Sequence, residues 1–322
     1  MRSVRSALDA VSYAWTGALL LIGLLVLAAI LSPQFYRLDS LTSSVAAAAP
    51  LVLGTMALTP IAIGNKGGVD LGMGPLLSLI NVVLIAKCFP AGLGSPVMTF
   101  VIAIALGVGL GLVQGFFVAV MRLQPIIVGL CAYLVYGGVA LLVLDQPGGS
   151  TLPWMLKLSD RTGPVPNGAV VIAVACLLWW AFSRTTIWRN VRLSGGDDVA
   201  AYASGVPVAL AQLTSYAVSG VFAGLGAVML TAYLGSGDPT VGLNYTLTSV
   251  AALVLGGTSL AGGRGGMFGS VVAAFAVFLV NYLVGTFNFG TVSSYVTQLS
   301  YGAILIAALV LGALNVRLRR IA

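Results

Sequence analysis

The stretch that decides the fold of this chain is Leu255-Gly256-Gly257-Thr258-Ser259-Leu260-Ala261-Gly262-Gly263-Arg264-Gly265-Gly266. It joins two apolar segments, near residues 245–262 and 267–286, and follows a charged loop from Arg184 to about Pro207. Clustered glycines between apolar helices indicate a tight turn between closely packed segments. A phosphate cradle is the weaker interpretation, because the lysine and hydroxyl residue of a phosphate-binding loop are absent.

The composition on either side of this stretch is that of a membrane protein. Of the 322 residues, 59% are hydrophobic and 7% are charged, whereas a soluble protein carries about a quarter charged residues. We therefore predict an all-α polytopic membrane protein in which residues 1–322 form a single transmembrane domain with about ten transmembrane helices. The apolar segments lie near residues 13–32, 41–63, 75–93, 97–121, 125–144, 167–183, 208–234, 245–262, 267–286 and 294–314.

The basic residues predict the orientation of these spans. With the N-terminus in the cytoplasm, most of the 15 arginines and lysines fall on the cytoplasmic side. The exceptions are Arg37, Lys87, Lys157 and Arg161. This asymmetry follows the positive-inside rule, so both termini are expected in the cytoplasm. The net charge of +7 is then a consequence of topology, and the scattered arginines do not indicate a nucleic-acid partner.

The inventory of reactive side chains argues against chemistry within the chain. There is no histidine or glutamate, and the cysteines Cys88, Cys131 and Cys176 lie in separate apolar segments, so neither a zinc site nor a catalytic residue is expected. All eight aspartates are expected in loops or at span ends, which disfavours an ion-driven carrier. No nucleotide-binding loop is present, so energy for transport would have to come from a partner.

The charged loop contains a short, well-delimited helix. Asp197 can cap its N-terminus, Asp198 suits the positive end of the helix dipole, and Pro207 prevents its continuation. Val199, Tyr202 and Val206 have helical spacing and are expected to share an apolar face. From spacing alone, this face either docks a partner or lies against the bundle.

Glycine also recurs at four-residue spacing within the spans. Gly107, Gly111 and Gly115 form one such series, and Gly220 and Gly224 form another. Faces of small residues at this spacing let helix backbones approach closely, so we expect these glycines to pack helices together.

Several motifs resemble the permease subunits of ribose-type ATP-binding-cassette importers, which carry monosaccharides and autoinducer-2. The segment 67–71, Gly-Gly-Val-Asp-Leu, is similar to the family's Gly-Gly-Ile-Asp-Leu-Ser signature. Leu255 to Gly265 is nearly identical to Leu-Gly-Gly-Thr-Ser-Leu-x-Gly-Gly-Arg-Gly. Weaker matches lie at 111–115, 123–128 and 198–206, and together the motifs cover residues 40 to 314 in the right order.

The resemblance implies the permease fold of these importers, in the bacterial inner membrane and in contact with lipid. It implies one half of a transmembrane homodimer or heterodimer that receives a sugar, such as a pentose, hexose or related polyol, from a periplasmic sugar-binding protein. Cytoplasmic ATPase subunits would bind ATP and magnesium, so this chain would be no enzyme and would hold no cofactor. By resemblance, coupling to the ATPase would involve Asp197, Asp198, Val199, Ala200, Ala201, Tyr202, Ser204 and Gly205, and the structural motif residues would be Gly67, Gly68, Asp70, Gly256, Gly257, Gly262, Gly263 and Arg264.

Polar and aromatic residues within the spans are candidates for the translocation path, because a sugar requires hydrogen-bonding and stacking surfaces. They are Asn81, Gln114, Gln124, Tyr133, Tyr136, Asn281, Tyr282, Gln298 and Tyr301. For each, an interhelical hydrogen bond or an interfacial anchor is the alternative. Lys66 and Asp70 are expected to form a local pair or cap. A branched-chain amino-acid permease and an ATP-independent carrier or channel remain alternatives for the whole chain.

Overall fold

The computed structural model describes residues 2–66 and 68–287, with five single positions beyond them at 296, 299, 302, 303 and 306. The α-helices are α1 Arg2–Leu31, α2 Leu38–Gly64, α3 Met73–Val83, α4 Pro96–Ala119, α5 Pro125–Val143, α6 Pro153–Leu156, α7 Asn167–Ser183, α8 Thr186–Gly196, α9 Asp198–Ala203, α10 Val208–Leu234, α11 Leu243–Leu255 and α12 Met267–Thr286. A π-helical turn, Leu84–Cys88, extends α3, and two 3-10 turns cover Pro33–Tyr36 and Lys157–Ser159. Strands β1 Arg161–Thr162 and β2 Val165–Pro166 form a small antiparallel hairpin.

Helices occupy nine of the ten predicted apolar segments, but fewer are long enough to span a membrane alone. Helices α2, α4, α5, α10 and α12 meet the length and hydropathy required, and α7 with α8, bent by 81°, forms at most a sixth span. The apolar parts of α1, α3 and α11 are shorter in the described residues. The predicted segment 245–262 ends early because Gly256 and Gly257 terminate α11. The predicted segment 294–314 lies almost wholly outside the described residues, as do Gly67, Gln298 and Tyr301.

Helix α2 is the centre of the bundle. Its best apolar window is 94% buried, and it packs against α7, α8, α10, α11 and α12. The small residues of the run 46–49, all alanine, allow neighbouring helices to approach it from several sides. A helix that is apolar around its whole circumference and surrounded by other helices is expected to be rigid.

The glycine series pack α4 against α10, as predicted. A Cβ placed on Gly107 would overlap the carbonyl oxygen of Gly220, and one on Gly224 would lie 2.6 Å from the carbonyl oxygen of Ala103. Gly111 faces the backbone of Tyr216 in the same way. The two helices therefore meet through their backbones, with no room for side chains between them.

The glycine-rich stretch is a tight turn between α11 and α12, which confirms the packing interpretation. The Ser259 amide donates to the Arg264 carbonyl at 3.0 Å, and the Gly263 amide donates to the carbonyl of Ile63, near the end of α2, at 2.9 Å. Gly262 and Gly263 have φ angles of 87° and 69°, which favour glycine. The turn is thus fixed to the end of α2 that packs against α8.

Candidate functional site

Helix α9 is a short capped helix on the surface, as the sequence predicts. The Asp197 carboxylate accepts hydrogen bonds from the amides of Val199 and Ala200 at 3.1 and 3.2 Å. Gly205 takes a φ of 81° just after the helix, and Pro207 precedes α10. These features fix both ends of a helix too short to be stable alone.

The surface of α9 presents two large apolar side chains. Val199 is 73% and Tyr202 is 77% exposed, whereas Ala201 and Val206 are buried. The prediction that Val206 shares the exposed face is therefore wrong: Gly205 turns the chain, and the Val206 amide donates back to Ala201. Val199 and Tyr202 remain as an apolar pair available to a partner.

Helix α8 holds α9 on a rigid base. Trp188 of α8 is buried, and its ring lies edge-on to Trp179 of α7, with ring centroids 4.6 Å apart. At the end of α8, a Cβ on Gly195 would overlap the carbonyl oxygen of Ile63, and Gly262 of the glycine-rich turn packs on the Gly195 carbonyl. The end of α8 that leads to α9 is therefore packed backbone to backbone against the end of α2 and the glycine-rich turn.

An ion pair joins α9 to the loop after α2. Lys66 Nζ lies 2.6 Å from a carboxylate oxygen of Asp198 and 3.8 Å from one of Asp197. The hydrogen bond from Lys66 lowers the pKa of Asp198, and the same bond raises the pKa of Lys66. The expected local pair of Lys66 with Asp70 is wrong, because the lysine points outward to α9 while Asp70 points into the bundle.

Asp70 is buried between the loop 68–72 and helices α4 and α5. It is 4% exposed, and one carboxylate oxygen accepts from the Gly72 amide at 2.8 Å. With the amide of Gln114 oriented to suit its neighbours, its nitrogen lies 3.0 and 3.2 Å from the two carboxylate oxygens, and its oxygen accepts from the Tyr136 hydroxyl at 3.2 Å. Asp70, Gln114 and Tyr136 thus form a buried polar cluster that ties three segments together.

A cleft of about 820 Å³ opens beside α9. Its polar lining includes Lys66, Arg122, Gln124, Asp198 and Gln212, and Tyr202 contributes an aromatic ring. Both signs of charge are present, so the cleft suits a polar protein segment better than an apolar ligand.

The seven candidate path residues that the structure describes lie in different environments and do not form one site; Gln298 and Tyr301 lie outside the described residues. Asn81 is fully buried and bonds to Thr231, Ser236 and Asp238, which makes it an interhelical crosslink. Gln114 and Tyr136 belong to the cluster with Asp70, Gln124 lines the cleft, and Tyr133 is half-buried on α5. Tyr282 packs edge-on against Phe35, with centroids 5.0 Å apart. Asn281 lines a second, smaller cavity.

Sequence reasoning missed two parts of this arrangement. The Lys66–Asp198 pair joins residues far apart in the chain, and no local spacing signals it. The second cavity, of about 220 Å³, also includes Tyr233, Asn244, Tyr245 and Thr248. The clustering of the last three at the start of α11 was a possible signal, because polar and aromatic side chains there follow a polar turn.

A bundle of long apolar helices around a buried α2, with a capped surface helix at one end, is the architecture of a multi-pass helical membrane protein. Comparison with known proteins identifies its family: residues 40–314 match the family described as "Branched-chain amino acid transport system / permease component". The chain belongs to this family. It is therefore a multi-pass protein of the inner membrane and a permease component rather than an enzyme.

Curated relatives align over most of the chain. The ribose import permease RbsC of Escherichia coli K12 is 29% identical over 89% of this chain and 91% of its own length. The D-allose transport system permease AlsC of the same strain is 29% identical over 76% of this chain and 74% of its own. The autoinducer 2 import permease LsrD of Salmonella paratyphi A is 27% identical over 92% and 91%. No solved structure matches the chain significantly.

Proposed function

We propose that this chain is the transmembrane subunit of an ATP-binding-cassette importer that carries a monosaccharide across the bacterial inner membrane. The relatives named above import ribose, D-allose and autoinducer 2, which supports a small polyhydroxylated substrate. In this proposal, ten spans place both termini in the cytoplasm, and the chain pairs with itself or with a related permease. A periplasmic sugar-binding protein delivers the substrate, and partner ATPases bind ATP and magnesium.

The observation that carries the proposal is α9. Its two large apolar side chains, Val199 and Tyr202, are exposed, yet the helix is capped at its N-terminus by Asp197 and follows the tightly packed end of α8. Such a surface fits a groove on a partner ATPase. The coupling residues are then Asp197 to Tyr202 with Ser204 and Gly205, and the cleft beside them accommodates part of the same partner.

The mechanism in this proposal is alternating access. ATP-driven closure of the partner subunits moves α9, and the backbone contacts at Gly195 and Gly262 pass that movement to α2 and the turn 256–266. The ion pair of Lys66 with Asp198 links α9 to the loop that carries Asp70, so the same movement reaches α4 and α5. Each link is a contact between packed segments, which transmits displacement well.

The first test is the composition of the native complex. The tagged chain is purified from its own membrane in mild detergent, and co-purifying chains are identified by mass spectrometry. An ATP-binding-cassette subunit in near-equal amount is the expected result, and a second permease in the complex would identify a heterodimer. A chain that purifies alone and transports in liposomes without ATP contradicts the proposal.

The second test addresses α9 directly. The double variant Asp198→Asn/Tyr202→Ser is expected to lower sugar uptake at least tenfold while the complex still hydrolyses ATP, because a loss of about 1.4 kcal/mol of docking energy is tenfold. Asp145→Asn is a matched control, since this exposed aspartate lies in the loop after α5. Uptake by the double variant equal to that of the control would remove the coupling role of α9.

A branched-chain amino-acid permease is the second candidate. The description of the family supports it, although the relatives named above carry sugars or autoinducer 2 in their names. Ligand binding by the cognate periplasmic protein, measured by calorimetry with sugars and with L-leucine, separates the two candidates.

A further inference from the structure

The cavity of about 220 Å³ lies at the end of the bundle opposite α9. It is formed by the first half of α2, the end of α10, the start of α11 and the second half of α12. Ala47 of its α2 wall precedes the end of that helix by 17 residues, which corresponds to about 25 Å along the helix axis. The cavity is therefore remote from the surface that we assign to the ATPase.

The lining combines rings with uncharged hydrogen-bonding groups. Phe278, Tyr233 and Tyr245 supply aromatic surface, and Asn244, Asn281 and Thr248 supply amides and a hydroxyl. Oδ1 of Asn281 is buried and has no hydrogen-bond partner among the described residues. A buried amide oxygen without a donor costs about 1–3 kcal/mol, so a ligand hydroxyl that donates to it would relieve that cost.

The charges and amides around the cavity select the class of ligand. None of its described lining residues is charged, so the ammonium and carboxylate of an amino acid would be desolvated without a counter-ion. The first amides of α11 are also occupied: those of Leu243, Asn244 and Tyr245 donate to the carbonyls of Thr240, Val241 and Gly242. A carboxylate would therefore find neither a cation nor a free pair of amides there.

The size of the cavity agrees with a single sugar ring. A volume of about 220 Å³ holds about seven waters at about 30 Å³ each, which is close to the space taken by one monosaccharide. Drug-sized ligands need pockets of about 300–1,000 Å³. A pocket of this size with aromatic walls and amide groups fits a small neutral polyol.

Buried hydroxyls continue from the cavity along α2, α11 and α12. Thr248 lines the cavity, and the next residue, Ser249, has a buried hydroxyl without a partner in the described part of the chain. Further along, Thr59 donates to Ser270 at 3.0 Å, and Ser270 lies 3.3 Å from the Thr258 hydroxyl in the glycine-rich turn. Polar groups are therefore present deeper between the same helices that form the cavity.

From these features we infer that this cavity is a binding site for one neutral monosaccharide ring within the permease, with Asn281 and Asn244 as its hydrogen-bonding groups and Phe278 as a stacking surface. The inference rests on the proposed import of a sugar and adds to it the location of the site. It also assigns the uncharged lining a role, which is to admit sugars and to exclude amino acids.

The test measures uptake in the native host, where the complete importer is present and this chain is replaced by each variant. The probes are radiolabelled aldopentoses and aldohexoses, including D-ribose and D-allose, with L-leucine for comparison. Asn281→Leu and Phe278→Ala are each expected to lower sugar uptake about tenfold, the effect of one lost hydrogen bond or ring contact. Val280→Leu introduces the same leucine at the preceding position of α12, outside the cavity lining, and should leave uptake unchanged.

A second measurement detects the ligand directly and does not depend on those variants folding. In a Cys131→Ser background, Ala47→Cys places a thiol at the cavity wall, and the transported sugar should slow its labelling by a maleimide at least threefold. L-leucine should not. Equal labelling with and without sugar, or normal sugar uptake by Asn281→Leu and Phe278→Ala, overturns the inference while leaving the importer proposal intact. Uptake of L-leucine by the wild type, or of none of the sugars, overturns both.

Discussion

The buried amide of Gln114 provides the sharpest test of the interior. Replacing it with leucine keeps a side chain of similar size in α4 but removes the donor that faces both oxygens of Asp70 at 3.0 and 3.2 Å. Asp70 is 4% exposed, so water cannot replace the lost bond. A buried polar group left without its partner costs about 1–3 kcal/mol, and we expect Gln114→Leu to destabilise the protein by about 2 kcal/mol.

This magnitude can be measured as a shift in thermal unfolding. At about 2.1 cal/mol/K per residue, a chain of 322 residues has an unfolding entropy of roughly 0.7 kcal/mol/K, so the unfolding midpoint in detergent should fall by about 3 °C. Gln124→Leu is the matched control, because this glutamine is exposed at the start of α5. Its midpoint should remain within about 1 °C of the wild type.

A second variant isolates the interaction with Asp70. Asp70→Asn keeps an oxygen that can accept from the Gly72 amide, but it removes the acid. In that background, Gln114→Leu should cost less than half of what it costs alone, because the partner left behind is an amide rather than a carboxyl group. Equal midpoints for Gln114→Leu and Gln124→Leu, or an undiminished cost in the Asp70→Asn background, would refute the polar cluster.

Three further predictions concern helix packing and the α9 ion pair. Gly107→Ala should sharply reduce the yield of folded protein measured by size-exclusion chromatography, because its Cβ would overlap the Gly220 carbonyl, whereas Gly109→Ala has open space and should be neutral; similar yields for both would refute the close α4–α10 contact. Gly195→Ala, which would overlap the Ile63 carbonyl, should lower the unfolding midpoint by about 2–4 °C, and Gly196→Ala, with nothing nearby, should not; equal midpoints would refute that contact. The difference in unfolding midpoint between the wild type and Lys66→Gln should be constant from about pH 5 to 9 and should vanish as the pH falls below about 4. The reason is that Lys66 lowers the pKa of Asp198, and the ion pair is lost when that carboxylate is protonated. A difference that changes near pH 7 would implicate another group.

Local features of the fold could be predicted from the sequence because each depends on neighbouring residues. The cap of α9 by Asp197 and the glycine packing of α4 follow from short-range spacing and were found as predicted. The hydropathy pattern located nine segments that are helical, but it did not predict where each helix ends. Two of them end early, one after the π turn at Cys88 and the other at the glycines after Leu255.

The candidate site was less predictable because its contacts are long-range. Polarity within an apolar segment marked Asn81, Gln114 and Asn281 equally. The first is a satisfied crosslink, the second is bound to Asp70, and the third has an acceptor in a cavity without a partner in the described part of the chain. Only the packing of distant segments separates these three roles. The same holds for Lys66, whose partner lies 132 residues away.

The contact between the backbones of Ile63, Gly195 and Gly262 limits how the segment that carries α9 can be exchanged between related permeases. Because three backbones meet there without intervening side chains, the segment that carries α9 does not form a separable module. A chimera that takes only residues 186–206 from a relative would place foreign backbone against native backbone, and small differences in path would prevent the three from meeting. The segments that must be exchanged together are therefore not contiguous in sequence. A chimera with a changed ATPase preference should fold only when the end of α2, α8 with α9, and the turn 256–266 all come from the same relative.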